Sequence, residues 1–191
     1  MLPFSTTLDM TTGVLAPVPA PIQRSLSQLV GMFADRVSAE RILREEGDRM
    51  IYEVYPVAVP ENAAHVLHCT TVIHPGTIGD EYYMTKGHYH ARRDRGEVYL
   101  GISGEGYLLL MLENGETRKM IMKPGTAAYV PPNWAHRTIN TGSVPFTFFA
   151  AWPGDSGHDY GTIEQVGFAK LLVNRNGQPT LIDNPRYGST S

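Results

Sequence analysis

Between residues 50 and 152 the chain is divided into short β-type runs by frequent turn residues, and this pattern limits the fold more than any other feature. Glycine, proline and asparagine separate the runs, and Asn114-Gly115 is the clearest hairpin turn because both residues tolerate positive φ. Close, even spacing of short strands predicts an antiparallel sandwich or barrel. The predicted strands are 50–59, 66–73, 82–86, 97–102, 107–112, 118–122, 127–130, 137–140 and 146–152.

The segments before the β-rich region are predicted to be accessory. Residues 1–24 mix Thr, Pro and Gly with a few apolar positions, which predicts an extended arm that packs on another surface. Residues 25–49 have apolar residues at helical spacing and predict one or two short helices, with Ser38 as a capping residue.

The remainder, residues 50–191, is expected to form the barrel. A short helix near 161–167 and a last strand pair around Leu171 and Leu181 complete it. We expect a single domain overall, because a chain of 191 residues is long enough for one well-packed core.

Charge and composition exclude several classes of partner. Sixteen Lys and Arg against nineteen Asp and Glu give a net charge of −3, which supplies no basic field for nucleic acid or an anionic membrane. The apolar runs are far shorter than the roughly 20 residues of a membrane span, and Pro3 and Asp9 interrupt any secretory signal. The single cysteine, Cys69, is expected in the core. We therefore expect a cytoplasmic protein that binds neither nucleic acid nor membranes.

Three of the seven histidines and one glutamate have the spacing of a metal site. His88 and His90 alternate on one face of an extended segment, Glu97 follows after a short turn, and His136 lies at the head of a later strand. Three imidazoles and a carboxylate suit a divalent first-row metal such as Fe, Mn, Ni or Zn, and they leave coordination positions open for substrate or water.

These spacings resemble those of the cupin superfamily. The first cupin motif corresponds to His88-x-His90, Glu97 and Gly104, and the second corresponds to Gly125, Pro131, His136 and Asn140. Two details depart from the usual pattern: Asn133 stands where glycine is common, and the interval between His90 and Glu97 is long. The resemblance implies a cupin β-barrel of jelly-roll type, but it does not choose a function, since cupins include oxygenases, isomerases, epimerases, sensors and storage proteins.

The surrounding sequence is more specific and resembles the cupin-type glucose-6-phosphate isomerases of archaea and some bacteria. The resemblance is strongest from residue 71 to residue 163 and extends more loosely to Tyr52 and to 184–186. It is carried by 71–72, 75–76, 85–90, 94–99, 124–132, 134–138 and 157–163.

This resemblance implies an aldose–ketose isomerase that interconverts glucose 6-phosphate and fructose 6-phosphate in glycolysis and gluconeogenesis. It implies a homodimer with one divalent metal per subunit, iron being the first candidate. The ligands carried over are His88, His90, Glu97 and His136. The phosphate is expected on Tyr52, Thr71, Thr85, Gly87 and Tyr99, since hydroxyls and a close backbone N–H bind phosphate without a basic surface. His158 and Tyr160 are expected near the sugar.

The chemistry leaves two routes open. A base could abstract a proton through an enediol, with Glu97 as the candidate, or a hydride could shift between adjacent carbons. Binding to a cation lowers the basicity of a carboxylate, but its second oxygen can still act if it faces the substrate, and on that ground the enediol route is preferred. Asn133 and Trp152 replace tyrosines expected in archaeal relatives, so two hydroxyl contacts are expected to be missing.

Two other functions are compatible with the metal-binding pattern. An Fe(II)-dependent cupin oxygenase would use the same ligands and consume oxygen. A sugar-binding cupin without turnover would keep the pocket alone. The threonines and Gly87 argue against the oxygenase, and the short length of the chain argues against a sensor with a separate output domain.

Overall fold

The computed structural model describes residues 1–188 and consists mainly of antiparallel strands. Its helices are α1 (Arg36–Glu46), α2 (Tyr160–Val166) and two 3-10 turns, Leu26–Gln28 and Val30–Met32. The strands are β1 (Thr7–Leu8), β2 (Leu15–Ala16), β3 (Ile22–Ser25), β4 (Met50–Pro56), β5 (Val66–Ile73), β6 (Thr77–Ile78), β7 (Glu81–Tyr82), β8 (Glu97–Ser103), β9 (Gly106–Met111), β10 (Thr117–Met122), β11 (Ala127–Val130), β12 (Ala135–Asn140), β13 (Phe146–Pro153), β14 (Lys170–Arg175) and β15 (Gln178–Asp183).

Two main layers enclose the core. The larger layer is a six-stranded antiparallel sheet in the order β11-β8-β13-β5-β4-β3. The facing layer contains the three-stranded sheet β10-β9-β12. A four-stranded sheet in the order β15-β14-β7-β6 lies beside it, and just after β7 an isolated bridge pairs Met84 with Ile139 of β12. The predicted all-β barrel with short helices near both ends is confirmed. No helix within residues 1–188 has the length and apolar character needed to cross a membrane.

Strand alternation explains which side chains reach the interior of the barrel. Along β8, Glu97 and Tyr99 are buried while Val98 and Leu100 are exposed, as expected for a strand with one solvated face. In contrast, β12 is buried throughout. One face of β12 looks into the barrel, and on the other face Arg137 packs over the Phe168 ring. Both sheets can therefore direct polar side chains into the same interior.

The N-terminal arm packs mainly against its own barrel. The β1–β2 hairpin lies on the outer face of the large sheet, where the Thr70 hydroxyl donates to the Gly13 carbonyl at 2.6 Å. Leu15 is buried there, whereas Leu2 and Phe4 remain exposed. The end of the arm is also part of the barrel, because β3 pairs with β4 at the edge of the sheet.

Three local expectations need correction. The first helix begins at Arg36 rather than at Ser38, because the Asp35 carboxylate caps it by accepting from the Ser38 N–H at 2.9 Å and the Ser38 hydroxyl at 2.6 Å. The strand predicted at 82–86 is shorter, since this segment changes partner from β14 to β12. His88 is therefore held by a single bridge to His136 instead of by a continuous strand.

The turn before β12 explains why asparagine occupies a position that is often glycine. Asn133 has φ of 72°, in the left-handed region, and its N–H donates to the Arg93 carbonyl at 2.7 Å. Asparagine is one of the few residues other than glycine that adopts this conformation readily. The turn fixes the start of the strand that carries His136.

Substitutions at this turn should separate backbone strain from side-chain effects. We expect Asn133→Ala to lower the free energy of unfolding by about 1 to 2 kcal/mol, because a Cβ without the amide disfavours positive φ. The matched control, Asn133→Gly, should change it by only a few tenths of a kcal/mol. Urea denaturation of both variants measures the difference, and equal stabilities would show that φ at this residue is not the controlling factor.

Candidate active site

The four predicted ligands converge in the interior of the barrel. His88 and His90 come from the segment before β8, Glu97 is the first residue of β8, and His136 lies on β12. Their ligand atoms all lie within 4.8 Å of one another. Glu97 Oε2 is the common point, since it lies 3.1 Å from His90 Nε2 and 3.0 Å from His136 Nε2.

Neighbouring carbonyls orient two of these imidazoles. His90 Nδ1 lies 3.0 Å from the Arg95 carbonyl, and His136 Nδ1 lies 3.3 Å from the Trp134 carbonyl. A carbonyl can only accept, so each Nδ1 carries the hydrogen when the ring is neutral, and Nε2 presents a lone pair. The long interval between His90 and Glu97 thus supplies the carbonyl that orients His90.

The donor set fits a divalent metal. His88 Nε2 is buried and has no hydrogen-bond partner within residues 1–188, although it points into the same cluster. Burying three imidazoles around one carboxylate leaves lone pairs that a cation satisfies directly. Nitrogen and oxygen donors in this ratio suit Fe, Mn, Ni or Zn, as the sequence predicted.

The charges in the cluster are strongly coupled. Burial favours the neutral form of Glu97, but the His136 and His90 imidazoles outweigh burial and lower the pKa of Glu97 to about 2. Burial also lowers the pKa of His90, and here the hydrogen bond and charge of Glu97 reverse the direction, so the pKa is raised. Among the described residues no carboxylate forms an ion pair with His88, and burial lowers the pKa of His88 well below its usual value. The site therefore holds an ionised carboxylate and at least one neutral imidazole.

A cavity opens beside the metal cluster and collects every predicted phosphate residue. Its volume is about 110 Å³. Inward-facing residues of β4, β5 and β8 form one wall, and the segment 85–88 forms the opposite wall. The predicted residues that line it are Tyr52, Thr71, Thr85, Gly87, Tyr99, His158 and Tyr160. It continues into an outer cavity of about 570 Å³, which Arg24 and Lys86 also line.

His158 and Tyr160 form the boundary between the two cavities. Their rings are stacked at 5.5 Å with 7° between planes, and His158 lies 4.5 Å from the His88 ring. The Asp159 carboxylate caps α2 by accepting from Thr162, and Tyr89 pairs with Asp159, so this helix start is fixed above the cluster. Burial lowers the pKa of His158 and raises the pKa of Tyr160 to about 12. At neutral pH His158 can accept a proton and Tyr160 can donate a hydrogen bond.

The two positions that depart from the expected tyrosines behave differently. Trp152 lines both cavities, and its buried indole N–H has no hydrogen-bond partner within the described residues. Asn133 lies in the turn before β12 and is absent from both cavity linings. Trp152 therefore supplies a large apolar side chain to the cavity wall. Of the two positions, only Trp152 changes the lining of the cavity.

The basic residues also divide into two groups. Arg92 and Arg95 pair with Asp155 at 2.6 and 2.7 Å on the loop after His90, and neither lines the inner or the outer cavity. Lys86 lines both cavities, with its Nζ 4.8 Å from the Tyr160 ring. Arg24 and Thr138 are further lining residues that the sequence did not indicate. Arg24 could have been identified only from the pairing of β3 with β4, which places it opposite Tyr52.

Comparison with known proteins decides the family. The family model described as "Glucose-6-phosphate isomerase (GPI)" matches residues 23–186. This chain belongs to that family. A glucose-6-phosphate isomerase from Pyrococcus abyssi is 46% identical over 187 residues, covering 98% of each chain, and one from Thermococcus litoralis is 46% identical over 185 residues, covering 97% of this chain and 96% of the relative.

The glucose-6-phosphate isomerase family was the one implied by the sequence, and its identification as an enzyme family is confirmed. The similarity extends over nearly the full length of both chains, so the N-terminal arm and both helices belong to the shared region. Among solved structures, an oxalate oxidase in complex with glycolate is 14% identical with a TM-score of 0.49, covering 59% of this chain and 56% of the other. Similarity at that level does not distinguish functions.

Metal binding tests the cluster independently of activity. After removal of metal by a chelator, we expect the chain to bind one divalent ion, because four donors converge at a single point. His136→Ala should weaken binding by at least about 100-fold, since even orienting partners of metal ligands contribute 10- to 100-fold. His74→Ala, directly after the end of β5, is the matched control and should bind as the unaltered chain does. Titration calorimetry with Mn(II) measures both, and equal affinities would exclude His136 as a ligand.

Proposed function

We propose that the chain is a metal-dependent isomerase that interconverts glucose 6-phosphate and fructose 6-phosphate. The supporting observation is that one cavity is lined by three of the four candidate metal ligands, His88, Glu97 and His136, and by five groups suited to phosphate. One divalent metal per subunit would be held by His88, His90, Glu97 and His136, with iron as the first candidate. Family membership favours this function over an oxygenase or a sugar-binding protein without turnover.

Different residues of the cavity would bind the phosphate end and the carbonyl end of the substrate. Thr71, Thr85 and the Gly87 N–H would hold the phosphate, with hydroxyls of Tyr52 and Tyr99 nearby. Burial raises the pKa of both tyrosines, so their hydroxyls remain protonated donors at neutral pH. The metal, when bound, would polarise the carbonyl of the open-chain sugar.

Ring opening and hydrogen transfer would occur beside the metal ligands. Neutral His158 can take the proton of the anomeric hydroxyl and return it to the ring oxygen as the ring C–O bond breaks, while Tyr160 orients the sugar. Glu97 Oε2 lies 3.1 Å from His90 Nε2 and 3.0 Å from His136 Nε2, and the residue lines the cavity. We therefore retain the enediol route, in which Glu97 Oε1 moves a proton between adjacent carbons. The low pKa of Glu97 makes it a weaker base than an ordinary carboxylate.

We extend the proposal to the pathway, the cell compartment and the oligomeric state of the enzyme. The reaction belongs to glycolysis and gluconeogenesis, and we place the protein in the cytoplasm. We also propose a homodimer, with the exposed apolar residues of the N-terminal arm at the interface; Leu2, Phe4 and Met10 are among these.

A coupled assay of fructose 6-phosphate conversion tests the function most simply. We expect activity that disappears on chelation while the circular dichroism of the barrel is retained, since most of the buried core lies outside the cluster. Readdition of Fe(II), Mn(II), Ni(II) or Zn(II) in parallel should restore it to different extents. Full activity in metal-free protein would overturn the metal dependence, and oxygen consumption without isomerisation would favour the oxygenase.

Adjacent threonines on β5 provide a test of phosphate binding. Thr71 lines the cavity, whereas Thr70 faces outward and donates to Gly13. Thr71→Val should raise KM with little change in kcat, because a lost bond to a charged oxygen costs about 1.5 to 3 kcal/mol of binding. Thr70→Val, the matched control, should affect stability instead. Thr85→Val should raise KM and also destabilise, since Thr85 Oγ1 accepts from the Thr138 N–H at 3.0 Å. Unchanged KM in both cavity variants would exclude Thr71 and Thr85 as phosphate ligands.

A solvent label separates the two routes of hydrogen transfer. In deuterated water the enediol route should place deuterium, at least in part, at carbon 2 of the aldose or carbon 1 of the ketose. NMR over many turnovers measures the incorporation. Complete retention of the original hydrogen would contradict the route through Glu97 and favour a hydride shift; loss of activity in Glu97→Gln is expected under either route.

A further inference from the structure

The segment 85–87 forms a bulge against β12. Met84 pairs with Ile139, and His88 pairs with His136. Between these two pairs, the three residues 85–87 therefore face only two residues of β12, Arg137 and Thr138, which is the arrangement of a β-bulge. Gly87 accommodates the irregularity with φ of 76°. A bulge of this kind changes the direction of a peptide group at the edge of a site.

The guanidinium of Arg137 is bonded to this bulge. Its Nη2 donates to the Lys86 carbonyl at 2.7 Å. The peptide between Lys86 and Gly87 is trans, so the Gly87 N–H points away from Arg137. Within residues 1–188 that N–H donates to no backbone carbonyl, and Gly87 lines the inner cavity. Holding the Lys86 carbonyl toward Arg137 thus directs the Gly87 N–H toward the inner cavity.

Arg137 occupies a buried position behind the cavity wall. Because side chains alternate along β12, Arg137 points to the opposite side from its neighbour His136. It is 3% exposed, and its guanidinium lies 4.6 Å from the Phe168 ring. Burial lowers the pKa of Arg137 to about 10, and the group remains a cation at neutral pH. A Cβ on Gly87 would lie 2.7 Å from the Phe168 ring and 3.1 Å from the Arg137 Cβ, so the bulge packs directly on this pair.

We propose that Arg137 is a positioning residue for phosphate recognition, holding the Lys86–Gly87 peptide so that the Gly87 N–H faces the cavity. The inference rests on the proposed function, because it assigns the phosphate of the substrate to Gly87. The cation adds a favourable field behind the same peptide without contacting the ligand. This arrangement accounts for a cavity that binds an anion with few basic residues in its lining.

The test compares two arginines that each bond a backbone carbonyl. Arg137→Met keeps an unbranched side chain against Phe168 but removes the donors to Lys86. Arg186→Met is the matched control: Arg186 donates to the Phe33 carbonyl at 2.9 Å and lies beside the same water-sized space as Arg137, but it does not contact the bulge. The full metal-loaded chain is used throughout, and metal content is measured for each variant.

Three quantities are measured: Kd for inorganic phosphate by calorimetry, and KM and kcat for glucose 6-phosphate. We expect Arg137→Met to raise Kd and KM by about tenfold, with kcat within about twofold and full metal content. Arg186→Met should leave all three unchanged. If Arg137→Met does not fold, Arg137→Lys replaces it, because lysine keeps the positive charge that interacts with Glu81. Its side chain is too short to place a donor where Arg137 Nη2 lies, so it should show the same rise in Kd.

Several outcomes would overturn the inference. Unchanged Kd and KM in a folded, metal-loaded Arg137 variant would show that the bond does not position the peptide. A parallel loss of kcat and metal would indicate a structural role next to His136. If the unaltered chain binds phosphate and isomerises the sugar, either of these two outcomes excludes only the positioning role of Arg137. If the unaltered chain binds no phosphate and has no isomerase activity, the proposed function itself fails.

Discussion

The carboxylate of Glu97, buried between two imidazoles, is the interaction on which the arrangement of the site depends. One oxygen lies near 3 Å from both His90 and His136, which belong to different parts of the chain. Burying these groups has a cost that only mutual contact and a bound cation can offset. The strands that carry them must therefore meet with the correct faces inward. The alternation of β8 and the turn at Asn133 satisfy that requirement from opposite layers.

The candidate metal ligands and the candidate phosphate-binding residues are linked through a short stretch of backbone. Thr85 bonds to Thr138, Lys86 to Arg137 and His88 to His136, so three successive attachments to β12 fix the whole segment. A shift at any one attachment moves both a candidate phosphate donor and a metal ligand. This coupling would keep the distance between the two ends of a sugar phosphate constant under the proposed function, which is what reaction at one end and recognition at the other requires.

The sequence predicted much of this site because ligand spacing and strand alternation are local properties. His88, His90, Glu97 and His136 converge as expected, and the residues predicted to bind phosphate line one cavity beside them. Strand periodicity also placed most strands within a few residues. The start of α1 was wrong, since two polar residues three positions apart, Asp35 and Ser38, can each serve as a cap and only the contacts distinguish them.

Other features depended on contacts between distant segments and could not be predicted. The bulge at Gly87 arises from the pairing of two strands far apart in the chain, and no local signal marks Arg137 as its partner. Arg24 reaches the outer cavity only because β3 joins the sheet beside β4. The packing of the N-terminal arm on Thr70 and Thr147 likewise depends on the outer face of a sheet that is assembled from later residues.

The central claim is that one cavity holds a metal and a phosphate at the same time, at a separation set by the segment 85–88. A crystal structure of the chain with Mn(II) and glucose 6-phosphate, using anomalous scattering to locate the metal, tests it most directly. The account predicts the metal peak among His88, His90, Glu97 and His136, and the phosphorus within hydrogen-bonding reach of the Gly87 N–H and the Thr71 hydroxyl. A metal elsewhere, or a phosphate held at Arg24 in the outer cavity, would contradict it.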